Sequence, residues 1–263
     1  MRIALGIEYN GSNFCGWQSQ PSGCGVQDQV ESALTMFLAA PSAKVSVVCA
    51  GRTDAGVHAS CQVVHFDCAI ERKELSWVRG ANTYLPDAIR ILWATPVADE
   101  FHARYSARSR TYRYLLLNDS VGAGIMHRQV GWFHLPLNVA AMREAADMLV
   151  GEHDFSAFRA AECQAKSPVK FLYEARVDAT GQLVLLTFRA NAFLHHMIRN
   201  IVGGLVYVGA GRHSIEEFRR IVESRDRSQA APTFAADGLY LTNIEYDEKF
   251  ALPLGRTRLP LPG

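Results

Sequence analysis

The sequence predicts an α+β protein built of two tandem split-βαβ halves with mainly antiparallel sheets, and three observations predict it. Apolar residues alternate with period two in short runs such as Ile3, Leu5 and Ile7, the mark of half-buried strands. Elsewhere they recur at helical spacing, as in Val26, Val30, Leu34, Phe37 and Leu38. The two patterns succeed one another as strand, helix, strand, strand, helix, strand before the midpoint, and a comparable series follows it.

In the first half, Arg2 to Tyr9 reads as a strand and the polar, Gly-rich stretch Asn10 to Gly25 as a long loop. The helix that begins at Val26 is expected to close at Pro41, whose ring cannot continue it. Val45 to Ala50 and Cys61 to Asp67 read as strands joined by the loop Gly51 to His58. A second helix is predicted near Lys73 to Tyr84, and Ile89, Ile91 and Trp93 mark a further strand. This is the split βαβ plan of RRM and ferredoxin-like domains, an antiparallel sheet with both helices on one face.

The second half repeats the plan without repeating the sequence. Thr111 to Leu117 is an apolar strand; Asn138 caps a helix carrying Val139, Met142, Ala146 and Leu149, stopped by Gly151. Phe171 to Asp178 and Leu183 to Ala190 form a hairpin over Thr180-Gly181. One helix is predicted near Leu194 to Val208, and a second is opened by the capping box Ser214 to Glu217. A strand from Gly238 to Tyr246 completes the half, and the tail Pro253 to Gly263 is expected to be loosely held. These elements divide the chain into domains 1–103 and 104–263, with the boundary near Ala103 to Ser109.

Of 263 residues, 49% are hydrophobic and 20% charged, enough apolar material for one large core or two smaller ones. The N-terminus reaches Glu8, Asn10 and Asn13 too soon for a signal peptide, and Ile198 to Val208 is too short to span a bilayer, so a cytoplasmic protein is expected. The six cysteines, Cys15, Cys24, Cys49, Cys61, Cys68 and Cys163, show no Cys-x-x-Cys pair and are expected to be reduced, mostly buried thiols. A net charge of +1 excludes a blanket of positive charge, so nucleic-acid binding would need clustered basic residues.

Such clusters exist. Arg104, Arg108, Arg110 and Arg113 are interleaved with Tyr105, Tyr112 and Tyr114, a mixture that holds phosphates and stacks on unpaired bases, although a solvated edge strand has the same pattern. Arg189, His195, His196 and Arg199 form a second group at the start of a helix. The loop Gly51-Arg52-Thr53-Asp54-Ala55-Gly56-Val57-His58 places a carboxylate in a tight connection between strands, where catalytic groups tend to sit; on spacing alone, ordinary turn chemistry, with Arg52 as a surface partner, is the stronger explanation of an aspartate there. His58, Cys61, His65 and Cys68 invite a zinc reading, but strand geometry sends Cys61 and His65 to one face and Cys68 to the other. No phosphate loop, dinucleotide fingerprint or nucleophile elbow is present, so no cofactor is expected.

Several blocks in order carry a resemblance. They are Tyr9-Asn10-Gly11 with Phe14, Gly16-Trp17-Gln18 and Gln20; Gly51 through Ala59 as GRTDAGVHA; and Phe101-His102-Ala103-Arg104 leading into Arg110-Thr111-Tyr112-Arg113-Tyr114. Gly151-Glu152-His153-Asp154-Phe155, Phe193-Leu194 with Met197, Arg199 and Val202-Gly203, and finally Gly238-Leu239-Tyr240-Leu241 complete the set. With these the chain resembles the tRNA pseudouridine synthase A family over nearly its whole length. It departs from the family pattern at Thr233-Phe234-Ala235-Ala236-Asp237, which lacks a proline before Gly238.

The resemblance implies the pseudouridine synthase fold, with Asp54 as the essential aspartate and nucleophile. It implies that Tyr112 contacts the flipped uracil, Arg199 pairs with the aspartate, Leu239 packs against the base, and Arg52 helps hold the extruded nucleotide. The implied substrates are uridines 38, 39 and 40 of the tRNA anticodon arm, gripped by a homodimer, without metal or membrane. Two readings compete with it. A non-catalytic RNA-binding protein makes Asp54 dispensable, and a zinc hydrolase or deaminase requires metal at His58, Cys61, His65 and Cys68.

Overall fold

A computed structural model describes residues 1–38 and 45–253. The expected helix stop at Pro41 lies outside the described residues, as does the tail apart from Pro253. The protein is α+β, and it divides into two compact units: Met1–Arg108 with the last strand from Tyr240, and Ser109–Leu239. The sequence-based boundary at 103/104 thus moves by a few residues, and the last strand changes sides.

In the first unit the elements are β1 (Arg2–Tyr9), α1 (Val26–Phe37), β2 (Val48–Cys49), β3 (His58–Asp67), α2 (Glu74–Asn82) and β4 (Ile89–Val97). β1 lies between β4 and β3, antiparallel to both, and β2 adds to the far edge of β3. That is the split βαβ order, and Trp77 shows why both helices share one face. Its buried ring meets Phe37 of α1 at 5.5 Å and Phe66 of β3 at 5.4 Å, both edge-on.

The predicted strand from Val45 to Ala50 shrinks to the two residues of β2, which pair only with His65 and Val64. The other end of the same β3 edge is therefore open, and β10 (Leu239–Glu245) occupies it in parallel, Tyr240 opposite His58 and Leu241 opposite Ala59. Backbone hydrogen bonding of that edge is what ties the last strand to the first unit. Tyr246 strengthens the attachment by donating its hydroxyl to Ala103 O at 2.6 Å.

In the second unit, β5 (Ser109–Asn118) pairs with β9 (Leu183–Ala190), β9 with β8 (Val169–Thr180), and β8 with β7 (Gly151–Asp154), all antiparallel; β6 (Gly131–Phe133) runs parallel to β5. The helices are α3 (Val139–Asp147), α4 (Met197–Gly209) and α5 (Ile215–Ser224). α3 is capped by the Asn138 side chain, which accepts from Ala141 N, and α5 by the Ser214–Glu217 box, as their sequences predict. α4 starts three residues after the predicted Leu194, because His196 is left-handed at φ 60° and interrupts the helical run. β6 and β7 were not predicted; at three and four residues they are too short to show a period. No helix of the described residues is long and apolar enough to cross a membrane.

Two of the six cysteines overturn the expectation of free thiols. Cys15 and Cys24 form a disulfide with their Cα atoms 5.4 Å apart, in the loop between β1 and α1. The loop folds back on itself there, since Cys15 N donates to Cys24 O at 3.0 Å, and this brings the side chains together. Cys49 and Cys61 are free and buried, while Cys68 and Cys163 are free and half-buried.

Candidate functional site

The loop Gly51–Val57 is short, and nearly every second residue is held from below. Gly51 O accepts from the buried Gln62 side chain, Nε2 at 2.7 Å. The Thr53 hydroxyl lies 2.7 Å from the Tyr9 hydroxyl in a buried contact, and Thr53 O accepts from Trp17 N at 3.0 Å. Val57 N donates to Asp54 O at 3.1 Å, closing a turn over Ala55-Gly56, and Gly56 N donates to Phe14 O at 3.3 Å. With Gly51 and Thr53 pinned inward, Arg52 is exposed and Asp54 half-exposed. Anchoring Gly51 and Thr53 fixes the backbone on either side of Arg52 and directly before Asp54.

The strand that follows continues the bracing. His58, buried at the first position of β3, accepts Gly11 N–H at Nδ1 over 3.0 Å and stacks on Tyr240 with centroids 4.6 Å apart. Gly16 and Trp17 link the loop to α1, because their carbonyls accept the first helical amides, from Val26 and Gln27, at 3.0 Å each. Gly16 adopts φ +92°, and a Cβ on it would lie 2.7 Å from Thr53 O and 3.0 Å from the Asp54 carbonyl carbon. The backbone of the Asn10–Gly25 loop thus presses directly on the Asp54 backbone, at a point where only a glycine fits.

Two cations of this unit, Arg52 and Arg104, act on the same buried thiol. Burial pushes the Cys49 thiol up to about 11, and the positive charges of Arg52 and Arg104 oppose that rise. Both guanidinium groups are therefore within electrostatic reach of the β2 end, while Arg104 also stacks over the exposed Tyr105 ring at 5.7 Å. The remaining arginines of the predicted basic segment disperse. Arg108 pairs with Asp247, and Arg110 donates to Asn191 O at 2.9 Å. Tyr112 and Tyr114 are buried.

The other candidate residues, Tyr112, Arg199 and Leu239, belong to the second unit. Tyr112 sits mid-strand in β5 opposite Phe188 and meets the Phe193 ring edge-on at 5.2 Å. Arg199 occupies the first turn of α4, its Nε donating to Phe234 O at 2.9 Å while Phe234 N donates to Arg199 O at 3.2 Å. Leu239 is buried at the start of β10, with its N–H on Ala236 O at 2.9 Å. The proline-free stretch before Gly238 is fixed by these bonds and by the buried Tyr114, whose hydroxyl donates to Ala235 O at 2.9 Å. Burial raises the Tyr114 hydroxyl far above its ordinary range, with Asp237 adding to the effect and Arg199 opposing it, so this tyrosine stays a neutral donor.

The four residues of the zinc reading take separate structural roles. His58 holds Gly11; His65 accepts Ala103 N–H at Nδ1 over 3.1 Å; the Cys68 sulfur contacts the Ile70 backbone; and Cys61 is a buried thiol raised by desolvation to about 11. Among the described residues, they do not converge as a group of metal ligands. Conversely, the sequence reading did not single out Tyr9, Thr53 or Gln62 as supports of the loop. Tyr9 stood in a quoted motif and Thr53 next to Asp54, but their contact spans 44 positions of sequence and leaves no local signal.

An α+β protein with one carboxylate on a doubly braced loop and no nucleotide-binding motif is matched by the family model of tRNA pseudouridine synthases, over residues 6–106 and 145–247. The chain belongs to this family, which makes it an isomerase that modifies RNA. The particular relatives it is similar to carry the name tRNA pseudouridine synthase A. The protein of Thiobacillus denitrificans is 54% identical over 260 residues, covering 99% of each chain, and that of Paraburkholderia phytofirmans is 54% identical over 256 residues, covering 97% of this chain and 94% of its own. The protein of Dechloromonas aromatica is 53% identical over 253 residues, covering 96% and 95%. The matched stretches contain the Asp54 loop, Arg199 and Leu239, whereas Tyr112 falls between them.

Proposed function

We propose that this protein converts uridines 38, 39 and 40 of the tRNA anticodon arm to pseudouridine, with the Asp54 carboxylate as nucleophile. The observation that carries the reading is the loop itself: a half-exposed carboxylate, two residues from the exposed Arg52, on a backbone anchored at Gly51 and Thr53. Family membership and the near full-length similarity to synthases of the A type support the substrate class.

The isomerisation breaks the N1–C1′ bond of uridine, turns the uracil and joins C5 to C1′, and the C5 proton is then released to solvent while N1 gains one. No electrons or groups enter or leave overall, so the chemistry calls for neither cofactor nor metal. It does call for a carboxylate that stays ionised while a detached base is enclosed away from water. An arginine beside the carboxylate favours its charged form, the role assigned here to Arg199. Attack on C1′, addition to C6 and abstraction of a sugar proton all begin at the same carboxylate.

In this reading Tyr112 offers its ring and hydroxyl to the base, Leu239 packs against it, and Arg52 takes the space left by the extruded nucleotide. Extrusion costs a few kcal/mol, which the cation and the apolar contacts offset. A homodimer in the cytoplasm, with two moderately basic surfaces on one RNA, answers the small net charge of the single chain.

The test is tritium release from tRNA labelled at uracil C5, comparing the wild type with Asp54→Asn in the presence of a chelator. Release by the wild type alone, lowered on the order of a thousandfold or more in the variant, is expected for loss of a nucleophile. Undiminished release by Asp54→Asn would end this assignment, and a loss of wild-type release on chelation would end its metal-free part. Light scattering at micromolar concentration checks the dimer, which a monomeric mass would refute.

A further inference from the structure

Thr53 is the residue next to the proposed nucleophile, and it is unusually well tied down for a loop residue. Its carbonyl accepts from Trp17 N at 3.0 Å, and its hydroxyl lies 2.7 Å from the Tyr9 hydroxyl. Both side chains of the second contact are buried, Tyr9 at 4% and Thr53 at 7% exposure. Tyr9 ends β1, where its backbone is fixed on both sides, opposite Ala59 of β3 and Ile89 of β4. Its ring packs on the buried Trp17, with centroids 6.0 Å apart. A hydroxyl on so rigid a support is a fixed point, and the Thr53 side chain touches it.

We propose that Tyr9 is a positioning residue for the reaction: through the hydrogen bond to Thr53 it sets where the adjacent Asp54 carboxylate stands. The inference rests on the reading of Asp54 as the nucleophile and goes beyond it. Packing alone does not require the hydroxyl, because a phenylalanine at position 9 fills the same space against Trp17. What the oxygen adds is a directional tie between a sheet and a loop, one residue from the reacting group. A tie of this kind acts on the chemical step, since displacements of about 1 Å at a reacting group cost as much as a hundredfold in rate. It leaves tRNA binding alone, because neither buried side chain is accessible to RNA.

The experiment compares Tyr9→Phe, Thr53→Val, the double variant, Thr53→Ser and Asp54→Asn for kcat, for KM with tRNA and for thermal midpoint, at a temperature where all are folded. Tyr9→Phe and Thr53→Val are each expected to lower kcat on the order of tenfold or more with KM within about twofold, since the lost interaction acts at the reacting group. The double variant should be no slower than the singles, and Thr53→Ser, which keeps the hydroxyl, should retain most of the rate. Wild-type kcat in the two singles, with or without a lowered midpoint, would overturn the inference. So would losses that multiply in the double variant, or a Thr53→Ser protein as slow as Thr53→Val. An inactive Asp54→Asn beside a fully active Tyr9→Phe sinks this inference alone; an active Asp54→Asn sinks the nucleophile assignment and this inference with it.

Discussion

The two units hold their candidate residues by different means. In the first, Arg52 and Asp54 ride on an irregular loop whose position comes from outside itself, through Gln62, Tyr9, Trp17 and the backbone of Gly16. In the second, Tyr112 and Arg199 stand on a paired strand and on the first turn of a helix, where the element's own hydrogen bonds fix the backbone. A residue on regular structure inherits its direction from the element, whereas a residue on a loop borrows it from every neighbour. Small changes beside the loop should therefore cost activity, and comparable changes in the second unit should cost mainly stability.

Removing the carboxylate in Asp54→Asn is the largest effect, and the next comes from two alanines placed at left-handed glycines. Gly16→Ala forces a Cβ to 2.7 Å from Thr53 O at φ +92°, so the Asn10–Gly25 loop and the Asp54 backbone must part. We expect kcat to fall about a hundredfold, along with about 1–3 kcal/mol of stability. Gly181→Ala, in the turn between β8 and β9, has φ +57° and nothing within 4 Å, so it is expected to cost about 1 kcal/mol and leave kcat unchanged. Denaturant titration and single-turnover rates measure both, and equal losses of kcat in the two variants would erase the contrast.

The same contrast explains what was legible in the sequence. β1, α1, α3, α5 and the hairpin of β8 and β9 follow from periodicity, Asn138, the Ser214–Glu217 box and Thr180-Gly181, all of which are local signals. The last strand was placed in the wrong unit because its attachment depends on β2 being only two residues long, which leaves the start of β3 open. The Cys15–Cys24 bridge depends on how a loop folds back on itself, and spacing carries no trace of that. Asp54 is legible as a loop carboxylate, but its spacing alone fits ordinary turn chemistry better than catalysis, and only the family blocks single it out. Its supports were invisible, since Gln62 and Tyr9 look like ordinary strand residues.

Two further substitutions sharpen the comparison. Asn200, fully buried in α4 beside Arg199, donates to Phe158 O at 2.8 Å and accepts from Thr233 Oγ1 at 2.7 Å and from Arg227 Nη2 at 3.2 Å. Asn200→Ala removes the donor to Phe158 O and is expected to cost about 1–3 kcal/mol, with kcat nearly intact once the protein is folded, because α4 itself still carries Arg199. A collapse of kcat at full stability would show that the second unit is as finely set as the first. The disulfide is the other case. Cys15→Ser opens a nine-residue separation and is expected to remove about 2–3 kcal/mol, read as a lower denaturation midpoint. Its effect on kcat should exceed that of Asn200→Ala, since the bridge closes the loop that presses on Thr53 and Asp54.

Mild acid should separate the units with the least perturbation. His65 of β3 is buried beneath Ala103, and desolvation, with the charges of Arg2 and His102 adding to it and Asp67 opposing, lowers its pKa to about 4 from an ordinary 6.5. A histidine whose folded pKa is depressed takes up its proton more readily when unfolded, so its contribution is present above pH 6.5 and is lost as pH falls from there toward 4. The second unit responds later. Asp154 is held below its ordinary 3.8; burial opposes this, and the hydrogen bonds from Ser156 and the charge of Arg225 outweigh it. That carboxylate stabilises the fold above pH 3.8, and its contribution fades only below that value. Between pH 6 and pH 4, hydrogen exchange should therefore lose protection first in β1, β3 and β4, while β5, β8 and β9 keep theirs. His65→Gln, whose carbonyl can still accept the Ala103 N–H, should flatten the early phase. Simultaneous loss in both sheets, or an unchanged early phase in His65→Gln, would show that the first unit's sensitivity has another origin than this buried ring.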